Sequence, residues 1–150
     1  MSPEAQLDGF LARFTPQVEA QARAALARMR ARLPGAFELV YDNYNALAIG
    51  FGANQKLSGI VFSIAVYPRW VSLFFARGTD LPDPDGLLQG AGTAIRHIVL
   101  KDMSLFDHPG VEALIAEALL RADPPIDAAI PGRLIIKSVS AKQRPRRPAG

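Results

Sequence analysis

AFELVYDNYNALAIGFGANQKLSGIVFSIAVYPRWVSLFFARG, residues 36–78, alternates bulky apolar side chains with small or polar ones, and short turn-rich breaks divide it. The period of two predicts strands at Phe37–Tyr44, Leu47–Phe51, Leu57–Tyr67 and Trp70–Arg77, with turns at Asn43–Asn45, Gly52–Lys56 and Pro68-Arg69. Connections this short join antiparallel neighbours, because a parallel pair needs a long crossover. In the third strand Ile60, Phe62, Ile64 and Val66 read as the core face, and Gly59, Val61, Ser63, Ala65 and Tyr67 form the other. The second strand divides the same way, Leu47, Ile49 and Phe51 against Ala48, Gly50 and Gly52. One face of the sheet is therefore bulky, and the other is made of small residues that let something approach the backbone closely. An alanine-rich helix is the commoner occupant of such a face; the other occupant is a ligand or partner.

Outward from the strands, Thr15-Pro16 reads as an N-cap with proline at the first helical position. Val18, Ala22, Ala25, Leu26, Met29 and Leu33 then make one apolar stripe, and Pro34-Gly35 stops the helix. Arg23, Arg28, Arg30 and Arg32 lie off the stripe, on a solvated face. Downstream, Arg96–Lys101 reads as a strand and Asp107–Ala122 as a second helix, with Val111, Leu114, Ile115, Ala118 and Leu119 on one side. The fold class expected is α+β: an antiparallel sheet of five to six strands packed by an N-terminal and a C-terminal helix as a two-layer sandwich. Residues 1–123 form the domain, 124–140 a linker and extra strand (Arg133–Ser140), and 141–150 a basic disordered tail.

At 150 residues the chain has the length of one ordinary domain, and with 49% hydrophobic and 21% charged residues its composition is globular. No apolar run nears the ~18 residues of a membrane span, and the first residues lack the basic n-region of a secretory leader. Absence of cysteine removes disulfides and thiolate chemistry, so a cytoplasmic location is expected. The net charge of +3 is unevenly spread: residues 133–150 carry six bases and no acid, leaving 11 bases against 14 acids, a net −3, in residues 1–132. Only the tail, through Arg144, Arg146 and Arg147, has the charge to contact an anion or nucleic acid.

LPDPDGLLQGAGTAIRHI, residues 81–98, gathers acids, glycines and an Arg-His pair. Aligned on Gly86, an EF-hand loop would place Leu81 and Gly92 where carboxylates are required, and no lysine completes a phosphate loop. Asp80, Pro82, Pro84 and Asp85-Gly86 are turn residues, and Gly90 and Gly92 stop a single helical turn at Leu87–Gln89. No G-x-S-x-G elbow occurs, and His97 and His108 are too far apart in sequence to signal a metal site, so catalysis has no positive signal. Arg69 and Trp70 pair a guanidinium with an aromatic ring able to anchor a ligand or partner.

This stretch also carries a resemblance. Gly78, Leu81, Asp83, Pro84, Gly86, Leu87, Leu88, Gln89, Gly90, Gly92, Arg96 and His97, with FELVYDNYNALAIGF and YPRWVSLFF before them and VEALIAEAL after, resemble the YdhG-like family of small bacterial domains of unknown function. The resemblance covers roughly residues 14–122 and implies an α+β fold with an antiparallel sheet. Some members are described as frataxin-like iron chaperones, which makes Glu38, Asp42, Asp83 and Asp85 the candidate oxygen ligands for iron. The function expected first is non-enzymatic binding of a small ligand or protein partner without a cofactor, with Arg69, Trp70, Asp83, Arg96 and His97 as candidate contacts. Iron delivery is the alternative, and an anion or nucleic-acid accessory role through the tail is the third.

Overall fold

The structure, a computed structural model, describes residues 1–148. Its elements are α1 (Pro3–Leu11), α2 (Pro16–Arg32), β1 (Phe37–Asp42), β2 (Leu47–Gly52), β3 (Ile60–Val66), β4 (Val71–Phe75), β5 (Arg96–Val99), α3 (Pro109–Arg121) and β6 (Leu134–Val139). The strands form one sheet in the order β5-β4-β3-β2-β1-β6. The character is α+β, but the sheet is mixed, because β6 pairs parallel to β1 while every other pair is antiparallel. Turn lengths constrain only consecutive strands. The path from β1 to β6 runs through most of the chain, which satisfies the crossover requirement.

A helix not anticipated from the sequence opens the chain. The Ser2 hydroxyl accepts the Ala5 N–H, Pro3 occupies the first turn of α1, and Leu7 and Leu11, four residues apart, are buried. Thr15 caps α2 through the Val18 N–H. Gly35 follows α2 at φ 85°, with its α-carbon against the Asp127 carbonyl, so a side chain would be strained and would also clash. The stripes of all three helices share one core with Val40, Ile49, Ile64, Leu73 and Ile98 of the sheet. Ala22 and Ala25 lie in that core, so they cover the bulky face and not the small-residue one.

The arginines of α2, expected on a solvated face, pair across elements: Arg23 with Asp8, Arg28 with Asp107, Arg30 with Glu4 and Glu38, and Arg32 with Glu112. Burial opposes the charge of Arg30, yet its hydrogen bonds to Glu38 and Glu4 more than offset this and raise its pKa above the ordinary arginine value.

Two readings of local structure are overturned. The segment Leu57–Gly59 is a 3₁₀ turn, and β3 carries a bulge: Phe51 pairs with Phe62 but Gly52 with Ile60, leaving Val61 as the extra residue. One extra residue inverts the alternation before it. Ile60, expected in the core, instead sits over Gly50 on the small-residue face, while Val61 packs against the core. No helical turn forms at Leu87–Gln89 either. The Asp83 carboxylate takes the Leu87 and Leu88 N–H groups, and Gln89 then bridges His97 through both backbone hydrogen bonds.

The tail is also folded. Ser140 N–H donates to the Asp42 carbonyl and Arg144 N–H to that of Tyr44, continuing beyond β6 along the β1–β2 turn. Arg146 is buried and reaches Asp42 Oδ1 at 2.8 Å, with both side chains 1% exposed. Its guanidinium also donates to the Asn43 carbonyl and lies 5.8 Å from the centre of the Phe14 ring. Disorder was expected because the segment has no apolar periodicity. A single buried ion pair and backbone hydrogen bonds hold it instead. Ala149 and Gly150, the last residues of that expected tail, lie outside the described residues. Arg146→Ala, which removes the charge and keeps the rest of the tail, leaves buried Asp42 with only Arg13 at 3.5 Å and is expected to cost about 3–5 kcal/mol in urea unfolding. A loss below about 1 kcal/mol, the scale of a surface pair, would contradict this placement.

Candidate functional site

The sequence candidates do not converge. Arg96 and His97 are adjacent in β5 and so project to opposite faces. Arg96 donates to the Gly92 and Ile95 carbonyls and packs on Gly78. His97 stacks on Phe74 across the β4–β5 ladder, with ring centres 5.0 Å apart. Asp83 is occupied as an acceptor within its own turn. Arg69 and Trp70 belong to the β3–β4 turn, at the opposite end of the sheet from the Phe75–Arg96 pair. Trp70 stacks on Tyr67 at 4.6 Å and remains 42% exposed.

The carboxylates named for iron are each placed differently. Glu38 accepts three hydrogen bonds from Arg30 at 2.8–3.0 Å, and Asp42 is closed in by Arg146 with Arg13 at 3.5 Å. Asp85 is exposed beside Gly110, away from both. Among the described residues no group of three or more histidine, aspartate or glutamate side chains stands close enough to hold a metal ion. His108 caps α3, its Nδ1 accepting the Gly110 N–H.

The small-residue face presents Ala48, Ser63, Phe74, His97 and Val99, all partly exposed, around Gly50 and Ala65. Ser72, on the same face between Ala65 and Val99, is 1% exposed, and among the described residues its hydroxyl has no hydrogen-bond partner. At one end of this face Ile60 passes from Gly50 into a cleft of about 610 Å³. The 3₁₀ turn at Leu57–Gly59, the end of β4 and the last turn of α3 enclose it. Ile60, Val61, Phe75, Leu81 and Ala118 form apolar walls, and Arg77, Asp80, Arg121 and Asp123 supply the polar groups. Arg121 is engaged, donating to Glu117 and to the Asp80 carbonyl at 2.5 Å. The side chains of Arg77, Asp80 and Asp123 make no ion pair among the described residues. The cleft falls within the usual range for small-molecule sites and has their usual character, apolar walls with a few polar groups.

Sequence reasoning missed the cleft because the bulge that turns Ile60 and Val61 leaves no mark on composition or period. Comparison of the chain with protein-family models, curated proteins and solved structures finds no match. Among the described residues no helix is long and apolar enough to cross a membrane.

Two consequences are testable. Because the buried Ser72 hydroxyl is unpartnered, Ser72→Ala is expected to leave stability unchanged or raise it by about 1 kcal/mol in urea unfolding. A loss of more than that would reveal a bond that the geometry lacks. Burial raises the Tyr67 phenol above its ordinary pKa. The stability tied to its neutral form is therefore full below about pH 10 and is lost as pH rises through the folded value. Tyr67→Phe should gain on the parent protein only in that alkaline range, as read by paired unfolding curves.

Proposed function

We propose that this protein is a non-enzymatic binding domain for a small amphipathic ligand. The ligand is held in the cleft beside Ile60 and extends toward the small-residue face of the sheet. The reading takes the domain as a two-layer sandwich, its helices on the bulky face and its other face free for contact. One observation carries it: a cleft of about 610 Å³ whose apolar walls meet a guanidinium and two carboxylates that have no ion-pair partner among the described residues. The position of Ala22 and Ala25 supports it further, since the helix that would have filled the small-residue face lies in the core. The two histidines, one stacked and one capping, stand in structural roles, in keeping with binding rather than catalysis.

Iron delivery, the role implied by the YdhG-like resemblance, draws no comparable support. Its four candidate carboxylates are dispersed, and arginines or backbone amides engage three of them.

Aromatic acids and aromatic amines of fragment size, titrated into ¹⁵N-labelled protein, are expected to shift the amides of Ile60, Val61, Ala76 and Arg77. Ala76→Trp, which fills the mouth, should abolish those shifts, and Arg77→Ala should weaken the acids by about fivefold or more while sparing the amines. Shifts confined to other surfaces, or unchanged by Ala76→Trp, would overturn the reading.

A further inference from the structure

The sheet register brings two turns and the folded tail to one end of the molecule. Asp42 pairs with Leu47, Leu47 with Val66, and Val66 with Val71, so the turns Asn43–Ala46 and Tyr67–Trp70 leave the sheet side by side. At strand spacing they stand about 10 Å apart. Leu100 N–H donates to the Val71 carbonyl, which puts Lys101 at the same end. The tail crosses there too, bonded to Asp42 and Tyr44.

This end therefore collects Arg69, Lys101, Lys142, Arg144 and Arg147, all exposed. Among the described residues the acids placed here are Asp42, buried against Arg146, and Asp102, whose carboxylate caps the Ser104 N–H. Two aromatic rings are interleaved with the cations. Tyr44 is 48% exposed with the Arg144 guanidinium 5.5 Å from its centre, and Trp70 is 42% exposed on its Tyr67 stack. In sequence the tail bases have no aromatic neighbour. Folding supplies one, by laying Arg144 over Tyr44.

We infer that this end of the sheet binds single-stranded nucleic acid. Lys101, Lys142, Arg144 and Arg147 contact phosphates, and unpaired bases stack on Tyr44 and Trp70. Charge alone would suit any polyanion. Exposed aromatic faces among the charges select a strand whose bases are free to stack, which a duplex does not offer. Arg146 takes no direct part, because it is spent in holding the tail. The inference is independent of the cleft, which lies at the other end of the sheet.

The test is fluorescence anisotropy of the full-length protein with a labelled single-stranded 12-mer RNA across a salt series. Binding should weaken with salt at a log–log slope of about −2 to −3, the release expected for three to four phosphate contacts. Tyr44→Ala and Trp70→Ala should each lower affinity about tenfold with little change in slope. Lys142→Ala combined with Arg144→Ala should flatten the slope. These are surface positions, and unchanged unfolding midpoints would show that the variants fold. Absence of binding at low salt overturns the inference. So does equal affinity for duplex RNA or heparin together with indifference to both aromatic substitutions, which would leave a general polyanion or acidic-protein contact.

Discussion

Asp42 and Arg146 are 104 residues apart, each side chain is 1% exposed, and each is the other's closest opposite charge. A buried carboxylate at the end of a central strand is costly alone, and a guanidinium in the last turn of chain has no apolar reason to fold inward. Together they fix the path of the C-terminal segment. That path then supplies the backbone bonds to Asp42 and Tyr44, the Gln143 contact with the Asp42 carbonyl, and the Arg147 contact with Arg13. The segment completes one edge of the molecule, where α1, the α1–α2 junction and β6 meet. The pair is not fully hydrogen-bonded: among the described residues Asp42 Oδ2, 3.5 Å from Arg13, and Arg146 Nε have no hydrogen-bond partner. Its value lies in specifying where the tail goes more than in net stability.

The opposite end of the sheet depends on a different constraint, the single extra residue in β3. Without the bulge Ile60 would enter the core and Gly50 would be open. With it, Ile60 stays paired with Gly52 but covers Gly50, Val61 turns toward the core, and both side chains line the cleft beside the 3₁₀ turn. Bulges commonly re-aim side chains beside binding sites. The two ends thus differ in chemistry: one has a cleft whose apolar walls meet charges of both signs, the other a cationic surface with exposed rings.

Much of the fold was legible because its signals are local. Alternation in residues 36–78 and caps such as Thr15-Pro16 identified four strands and the long helix, and VEALIAEAL identified α3. The first helix obeys the same rules at Ser2-Pro3 and in the Leu7–Leu11 spacing, but two buried leucines in nine residues make too short a stripe to mark a helix by period alone. Three features were not legible. The parallel β1–β6 pairing and the Asp42–Arg146 bond join distant residues, and no local period encodes them. The bulge needs the register of two strands together. The candidate residues chosen for chemistry, Asp83, Arg96 and His97, were near in sequence, yet strand alternation separates Arg96 from His97 by the thickness of the sheet.

A double-mutant cycle on Asp42 and Arg146 tests the account at its centre. Unfolding free energies of Asp42→Asn, Arg146→Met and the double variant would be compared with the parent protein. If the pair holds the tail, each single change is strongly destabilising, the double change costs less than the two combined, and the coupling is about 1.5–3 kcal/mol. Additive effects, each below about 1 kcal/mol, would show that the tail is not fixed by this pair and would remove the basis for the cationic end of the sheet.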